Sequence, residues 1–345
     1  MMKQILLGSG SELKLQETDS GILVQKDMVK VEVSACAICG SDLAIISGKR
    51  DRSKETYFGH EFAGVVTEMG EGTSGVRPGM RVASELARTC GQCWHCRNGV
   101  PNYCRSMNDA LSPGGFSQET LVRSTPEYGF LSQLPDSIDD ITASLLEPTN
   151  CAYRIAMRAN LKPGDNVVIF GLGAMGIITA MILKRLGAGN IVAVGRRPAR
   201  QERVRQTGLF QAVVGNDPQG MQIIQEICGS HGADIVIEAT GSAPVLVDAM
   251  QTVRYGGRIV VGSVYSGAVQ NFEPLPILRR EITIVGAKGP FPYPLSDGSS
   301  AVVRMMEQIQ EDLKKIIKVY DFKDALQAFQ DAQSGEAIKA VIRFK

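Results

Sequence analysis

Cys90, Cys93, Cys96 and Cys104 fall within fifteen residues, in the run CGQCWHCRNGVPNYC. Four thiolates at this spacing can close around one tetrahedral metal ion, and a zinc ion held by four sulfurs keeps no open position for a substrate. The lobe they define, about residues 86–106, is therefore expected to be structural. A ferredoxin-type iron–sulfur pattern fits poorly: its next cysteine should follow after three residues and precede a proline. Cys104 follows after seven and precedes Arg105. Disulfides find little support, because Cys36, Cys39, Cys151 and Cys228 are scattered and there is no secretory context. His95 lies inside the loop, but four thiolates already fill the site, so its side chain is expected to be exposed.

A second set of residues could hold a metal that does chemistry. Cys39 opens the run Cys-Gly-Ser-Asp, and His60 and Glu61 sit in Gly-His-Glu-Phe-Ala-Gly, each between apolar, strand-like segments. A thiolate, an imidazole and a carboxylate suit a catalytic zinc, since three protein ligands leave room for a water or a substrate oxygen. Taken singly, His60 reads as a satisfied core histidine and Cys39 as a buried, inert thiol like Cys36.

Between a predicted strand, NVVIF, and a predicted apolar helix lie Gly171, Leu172, Gly173, Ala174, Met175 and Gly176. A lone G-x-G-x-x-G is a weak signal, but this context is the one dinucleotide binding needs. Gly171 permits the tight turn, Gly173 the close approach of a pyrophosphate, and Gly176 the packing of helix on strand. The helix N-terminus adds N–H donors and a positive dipole. The next strand ends in Val194, Gly195, Arg196, Arg197 and Pro198, where an Asp or Glu would ordinarily hold the free ribose of NAD(H). Two guanidiniums and no carboxylate favour the 2′-phosphate of NADP(H) over NAD(H). A solvated basic face is the plainer reading, because Arg200, Arg203 and Arg205 follow.

The elements that must position these groups change character near residue 150. Before it, MVKVEVSAC, FAGVVTEMGEGTSGVRPGMRV and GGFSQETLVR are short Val-rich runs broken by Gly and Pro, as in a β-barrel or sandwich. After it, NVVIF, NIVAVG, ADIVIEATG and GGRIVVGSV alternate with helical segments, which predicts a doubly wound parallel sheet. SSAVVRMMEQIQ and DFKDALQAFQDAQ read as helices and AIKAVIRFK as a closing strand. The 345 residues suffice for two domains, and 44% hydrophobic content reads as globular. A net charge of +1 gives no global pull toward nucleic acid or a membrane surface. The start, MMKQILLGSGSELKLQ, lacks the apolar region of a secretory signal, so a cytoplasmic protein is expected.

Together, the ordered set CAICGSD, GHEFAG, the four-cysteine lobe, LLEPTN, FGLGAMG and IEATG resembles the zinc-dependent medium-chain dehydrogenase/reductase superfamily, that is, the zinc alcohol dehydrogenase family, over essentially the whole chain. In pattern it is similar to the polyol (sorbitol) and threonine dehydrogenase branches. The resemblance implies an α/β protein: a Rossmann domain, residues 151–287, inserted into a GroES-like β-rich catalytic domain, residues 1–150 and 288–345. It also implies a homodimer or homotetramer. Cys39 and His60 become zinc ligands, and Asp42 the carboxylate that orients the histidine. Glu61 and Glu147 would approach the metal, directly or through water, and exchange during turnover. Relatives with a third cysteine ligand carry it in the stretch that here reads Ser144-Leu-Leu-Glu-Pro-Thr-Asn150, and Cys151 is out of that register. Ser41 aligns with a proton-relay hydroxyl. Ala44 stands where a histidine often completes the relay, which leaves the outer route to a water chain or a residue near Lys49. Gly195, Thr240 of IEATG and Lys339 in the closing strand join the cofactor contacts.

The reaction so implied is hydride transfer between a secondary alcohol and NADP(H), with zinc as the Lewis acid that stabilises the alkoxide. The Glu147 branch points to a polyol, sugar or cyclitol. A threonine or simple secondary-alcohol dehydrogenase using NAD(P), or a non-catalytic NADPH-binding protein, is the alternative. Zinc-free relatives such as quinone and enoyl reductases lack the Cys39/His60 pair. The proline- and aromatic-rich segment from Gly289 to Gly298 is expected to shape the cleft.

Overall fold

A computed structural model describes residues 1–7, 12–18, 21–49, 58–85, 90, 92–104, 111–112, 114–125, 128–129, 131–265, 267–270, 272–291 and 300–344. The segment read as shaping the cleft therefore lies largely outside the described residues. The chain divides into two compact units. One comprises Met1–Asn150, Pro290–Gln310 and Ile316–Lys345; the other comprises Cys151–Gly289 and Glu311–Lys315.

The first unit opens with β1 (Met2–Leu7) and β2 (Leu13–Thr18), an antiparallel pair that the strand patterning above did not single out. It continues through β3 (Met28–Ala37), α1 (Gly40–Ile46), β4 (Glu61–Met69), β5 (Arg81–Ser84), α2 (Trp94–Arg97), β6 (Leu111–Ser112), β7 (Glu119–Thr125), β8 (Tyr128–Gly129), β9 (Leu131–Gln133), α3 (Asp140–Ala143) and the first residues of α4 (Leu146–Ala159), which from Cys151 belongs to the second unit. β3 alternates half-buried and buried positions from Met28 to Val33, as a period-two strand must, and is buried throughout from Val33 to Ala37. Val29, Val31, Val33, Phe62 and Phe116 join its core, and Phe116 meets Phe58 edge-on at 4.8 Å between ring centroids. Burying each such side chain stabilises the fold by roughly 1.5–3 kcal/mol.

The second unit holds β10 (Val167–Phe170), α5 (Ala174–Arg185), β11 (Ile191–Val194), α6 (Pro198–Gln206), β12 (Ala212–Val214), α7 (Pro218–Cys228), β13 (Ala233–Glu238), α8 (Ala243–Thr252), β14 (Val253–Val261), α9 (Leu275–Arg279) and β15 (Thr283–Gly286). Among the described residues its six strands form one sheet in the order β12-β11-β10-β13-β14-β15, all parallel. Counted from β10, that is the 3-2-1-4-5-6 order of a doubly wound dinucleotide fold. β10 and β11 are buried at every position, as strands covered on both faces should be. α7 starts where the Asp217 side chain accepts from Gly220 N at 2.8 Å, with Pro218 at its first position.

The chain then returns to the first unit through α10 (Ala301–Lys314), whose last residues from Glu311 are counted with the second unit, β16 (Ile317–Asp321), α11 (Ala325–Ser334) and β17 (Lys339–Arg343). β17 pairs parallel with β16 and antiparallel with the end of β3. β4 runs along one edge of β3, so β7 and β17 share the other edge, β7 beside Met28–Glu32 and β17 beside Ala35–Ala37. Among the described residues no helix is long and apolar enough to cross a membrane.

Candidate active site

Three strands meet at one rung. Ala37 on β3 faces Glu61 on β4 and Val341 on β17. Cys39 lies two residues beyond that rung, His60 one residue before it and Lys339 two residues before it, so all come to the same end of the ladder. Ile38 N donates to Ala340 O at 2.9 Å and extends the pairing to that end.

α1 then fixes the histidine. Asp42, fully buried, accepts from Cys39 N through Oδ2 at 2.8 Å and from Gly59 N through Oδ1 at 3.2 Å. Its Oδ1 stands 3.8 Å from His60 Nδ1. Gly59 has φ of +75°, and a Cβ there would lie 2.5 Å from Phe116 N, so only glycine makes the turn that delivers His60.

One ligand atom from each of Cys39, His60 and Glu61 lies within 4.8 Å of the others. Cys39 is half-buried and the other two are buried. A thiolate, an imidazole and a carboxylate converging in this way fit a zinc ion with a position left for a further ligand. Glu147, in the first turn of α4, is buried and near enough for its charge to act on His60, but its oxygens fall outside that mutual cluster. Burial lowers the proton affinity of His60, yet the charges of Cys39, Asp42 and Glu147 hold the imidazole well above its usual range. Burial pushes the Asp42 carboxyl up to about 6, against the pull of His60. Burial, followed by Asp42 and Glu61, drives the Cys36 thiol well above its ordinary value, which fits an inert core cysteine.

The sequence reading set Lys339 among the cofactor contacts. The structure buries it at this junction, 4% exposed, where Nζ donates to Ile38 O at 3.0 Å and ion-pairs with Glu61. The physical reason is strand register: β17 carries Lys339 to the end of the ladder where Cys39 and His60 lie, two residues before the rung of Glu61. Burial disfavours its charge, but Glu61 and Cys39 more than compensate and raise its proton affinity. A lysine flanked by apolar residues on both sides, in AIKAVI, is the available signal that a buried partner is waiting. Ser41 and Ala44 lie on α1, both half-buried, and Lys49 is exposed. Cys151 stands apart from the cluster, with its Sγ beside Gly289.

The four lobe cysteines form a second cluster within the same 4.8 Å limit. Sulfur separations of 3.9 Å for Cys90–Cys96 and 3.5 Å for Cys93–Cys96 are close to the edge, about 3.8 Å, of a tetrahedron with ~2.3 Å zinc–sulfur bonds. They are far beyond a disulfide bond of about 2.0 Å. N–H groups of Cys93 and Gln92 lower the proton affinity of the Cys90 thiol, as suits a thiolate ligand. His95 is half-buried rather than exposed, because α2 turns its ring between Trp94, at 5.4 Å, and Tyr103, at 6.1 Å.

In the second unit, Gly171 has φ of +119°, and a Cβ there would lie 2.7 Å from Ala239 O. A Cβ on Gly176 would lie 2.2 Å from Gly171 O, so helix and turn touch through backbone. A Cβ on Gly173, the N-cap of α5, would meet nothing within 4 Å. That open space before a helix N-terminus fits a pyrophosphate. Leu172 is buried, and a side chain on Gly195 would stand 2.3 Å from Leu172 Cδ1. Ala174 and Met175 form the first turn of α5, half-buried. Arg196 and Arg197 are exposed at the end of β11, and Arg197 caps α6. Arg200 is half-buried, its proton affinity lowered by burial and by Arg197 and Arg203. Arg205 is committed elsewhere, to Glu202 at 3.1 Å and to Val213 O at 3.1 Å. The Thr240 hydroxyl donates inward to Glu238, which leaves its Cγ2 facing Gly171.

Comparison with known proteins agrees with this arrangement. Residues 25–135 match the alcohol dehydrogenase GroES-like domain, and residues 174–307 match the zinc-binding dehydrogenase family. The chain is 27% identical over 322 residues to sorbitol dehydrogenase of Halalkalibacterium halodurans, covering 92% of each. It is 30% identical over 323 residues to D-xylulose reductase A of Aspergillus oryzae, covering 91% of this chain and 88% of that one. The crystal structure of 2R,3R-butanediol dehydrogenase from Bacillus subtilis superposes with a TM-score of 0.80 at 26% identity, covering 100% of both chains. Identity at this level along nearly the whole of both sequences places the protein in the zinc-dependent medium-chain alcohol dehydrogenase family, its Rossmann sheet accompanied by a GroES-like β-rich domain.

Proposed function

We propose that the protein interconverts a polyhydroxylated secondary alcohol, a polyol, sugar or cyclitol, and its ketone, exchanging hydride with NADP(H) in preference to NAD(H). The observation that carries this reading is the junction of Cys39, His60 and Glu61, with a carboxylate, Glu147, rather than a cysteine, available from α4. A zinc ion bound there would supply Lewis acidity and lower the proton affinity of an alcohol oxygen. Cys39 and His60 are its assigned permanent ligands, and Glu61 and Glu147 its exchanging ones. Asp42 orients His60 through its contact at Nδ1. Ser41 takes the alcohol proton at its hydroxyl oxygen and passes it outward, without help from a histidine at Ala44. The lobe of Cys90, Cys93, Cys96 and Cys104 is assigned a structural zinc.

The substrate class is supported by the names of the relatives, a sorbitol dehydrogenase and a xylulose reductase. The cofactor preference is supported by Arg196 and Arg197 standing exposed where a carboxylate would hold the ribose of NAD(H). We assign residues 1–150 and 288–345 to catalysis and 151–287 to the dinucleotide. We further propose a cytoplasmic homodimer or homotetramer.

Reduced-cofactor absorbance tests the reading. Zinc-replete protein is assayed with polyols, cyclitols, vicinal diols, simple secondary alcohols and threonine, each with NADP⁺ and NAD⁺, and with the ketones in reverse. Turnover of a polyhydroxylated compound with NADP⁺ is expected. Turnover confined to threonine or simple alcohols would overturn the substrate class. Replacing Arg196 and Arg197 together by Ala should weaken NADPH about thirtyfold and NADH by less than about threefold. Equal weakening would remove the 2′-phosphate assignment.

A further inference from the structure

We infer that Glu238 is a positioning residue that shapes the wall of the nucleotide cradle, an inference that rests on the reading of this unit as dinucleotide-binding. β13 ends at Glu238, which is completely buried. Its Oε1 accepts hydrogen bonds from Thr240 N at 2.7 Å, from the Thr240 hydroxyl and from Gly241 N at 3.2 Å. Its Oε2 accepts from the hydroxyl of Ser263, two residues beyond β14. Its backbone carbonyl accepts from Gly262 N at 2.9 Å. Every one of these donors is neutral: three reach Oε1, one reaches Oε2 and one the backbone carbonyl.

The network reaches further through the groups it orients. Ser263 Oγ accepts from Gly241 N at 2.9 Å, and Thr240 Oγ1 accepts from Ser242 N at 3.0 Å, the residue that caps α8. The turn so held packs on the first glycine of the cofactor motif. Ala239 N donates to Phe170 O at 2.8 Å, and a Cβ on Gly171 would lie 2.7 Å from Ala239 O and 3.3 Å from Thr240 Cγ2. One buried carboxylate therefore fixes the C-terminal ends of β10, β13 and β14 against one another, along the edge where doubly wound sheets bind their ligands. An apolar replacement would strand the Thr240 amide and the Ser263 hydroxyl without acceptors. Glutamine keeps the reach, and the Ser263 hydroxyl can rotate to accept from its amide. Aspartate keeps the charge but is too short to bridge Thr240 and Ser263. Reach and acceptor geometry, more than charge, are what the site requires.

Fluorescence titration of NADPH and NADH with the zinc-loaded full-length chain, paired with steady-state kinetics, tests this. Glu238→Gln should raise the cofactor dissociation constant about threefold, Glu238→Asp about tenfold and Glu238→Ala about a hundredfold. The cofactor KM should follow, while kcat at saturating cofactor and zinc content stay unchanged. Wild-type affinity in the Asp and Ala variants, with only the melting temperature lowered, would overturn the inference and leave Glu238 a plain scaffold residue. If the Ala variant does not fold, wild-type affinity in both Asp and Gln variants overturns it equally. A wild-type chain that binds neither reduced cofactor would overturn the dinucleotide reading, and this inference with it.

Discussion

Cys90, Cys93, Cys96 and Cys104 reach one point along fifteen residues of chain, whereas the hydrogen bond from Lys339 to Ile38, beside Cys39, spans 301 positions. The lobe draws its geometry from spacing and a single turn of helix. The other cluster exists only where β3, β4 and β17 share a rung. Local spacing can fold around a metal with little outside help, and that suits a closed site. A cluster delivered by a sheet is buried and held by Asp42 and Lys339. That arrangement can keep mixed ligands in place while leaving a position for exchange.

The sharpest way to break this contrast is at the ligands. Cys39→Ala should lower turnover by about a thousandfold or more and remove one equivalent of zinc, while reduced-cofactor titration stays near wild type. Lost cofactor binding would show that the two units do not divide the work in this way. Lys339→Met leaves Glu61 buried without its cation, and urea unfolding should report a loss of about 3–5 kcal/mol. Lys339→Arg should retain most of that stability; equal loss in both would mean that packing, not charge, is at stake. In the lobe, Cys96→Ala should also remove one zinc but spare kcat to within about twofold, with the melting temperature lower by about 5 °C. A lobe variant as inactive as Cys39→Ala would erase the distinction between the sites.

The smallest effect concerns the tie between α11 and β16, next to the strand that carries Lys339. Asp331 accepts from Lys318 Nζ at 2.6 Å and from the Tyr320 hydroxyl at 2.5 Å, and these donors hold its carboxyl down to about 2. The unfolded value is about 3.9, so the carboxylate contributes stability above that pH and loses it as pH falls toward about 2. Asp331→Asn should be less stable than wild type by about 1 kcal/mol at pH 6, a figure reduced for the exposure of Lys318, and equally stable near pH 2. A difference that persists in acid would point to packing instead of charge.

The same contrast decides what the sequence could reveal. The lobe is legible because its ligands are neighbours in the chain. The cofactor turn is legible because Gly171, Gly173 and Gly176 sit between two strongly patterned elements. β12 has three residues, and β15, no shorter than β10 or β11, has only Ile284 and Val285 between Thr283 and Gly286, so neither shows the unbroken apolar run that marks those two strands. The pairing of Lys339 with Glu61 and Ile38 is not legible, because it depends on a strand pairing that no local window contains. Glu238 was visible only as part of IEATG, since a carboxylate satisfied by backbone and hydroxyl donors leaves no charged partner to find.

β3 pairs with β4 through two register irregularities, one between Lys30 and Val31 and one between Val33 and Ala35. The strand is in effect three short ladders in series, and only the last, Ala35–Ala37, aims Cys39 at His60. An inserted or deleted residue ahead of Val31 could be taken up at an existing irregularity, and the ligands would stay where they are. One between Ala35 and Cys39 would reverse the side-chain facing of every residue up to the metal. Lineages of this protein should therefore vary in length freely at one end of a single strand and hardly at all at the other.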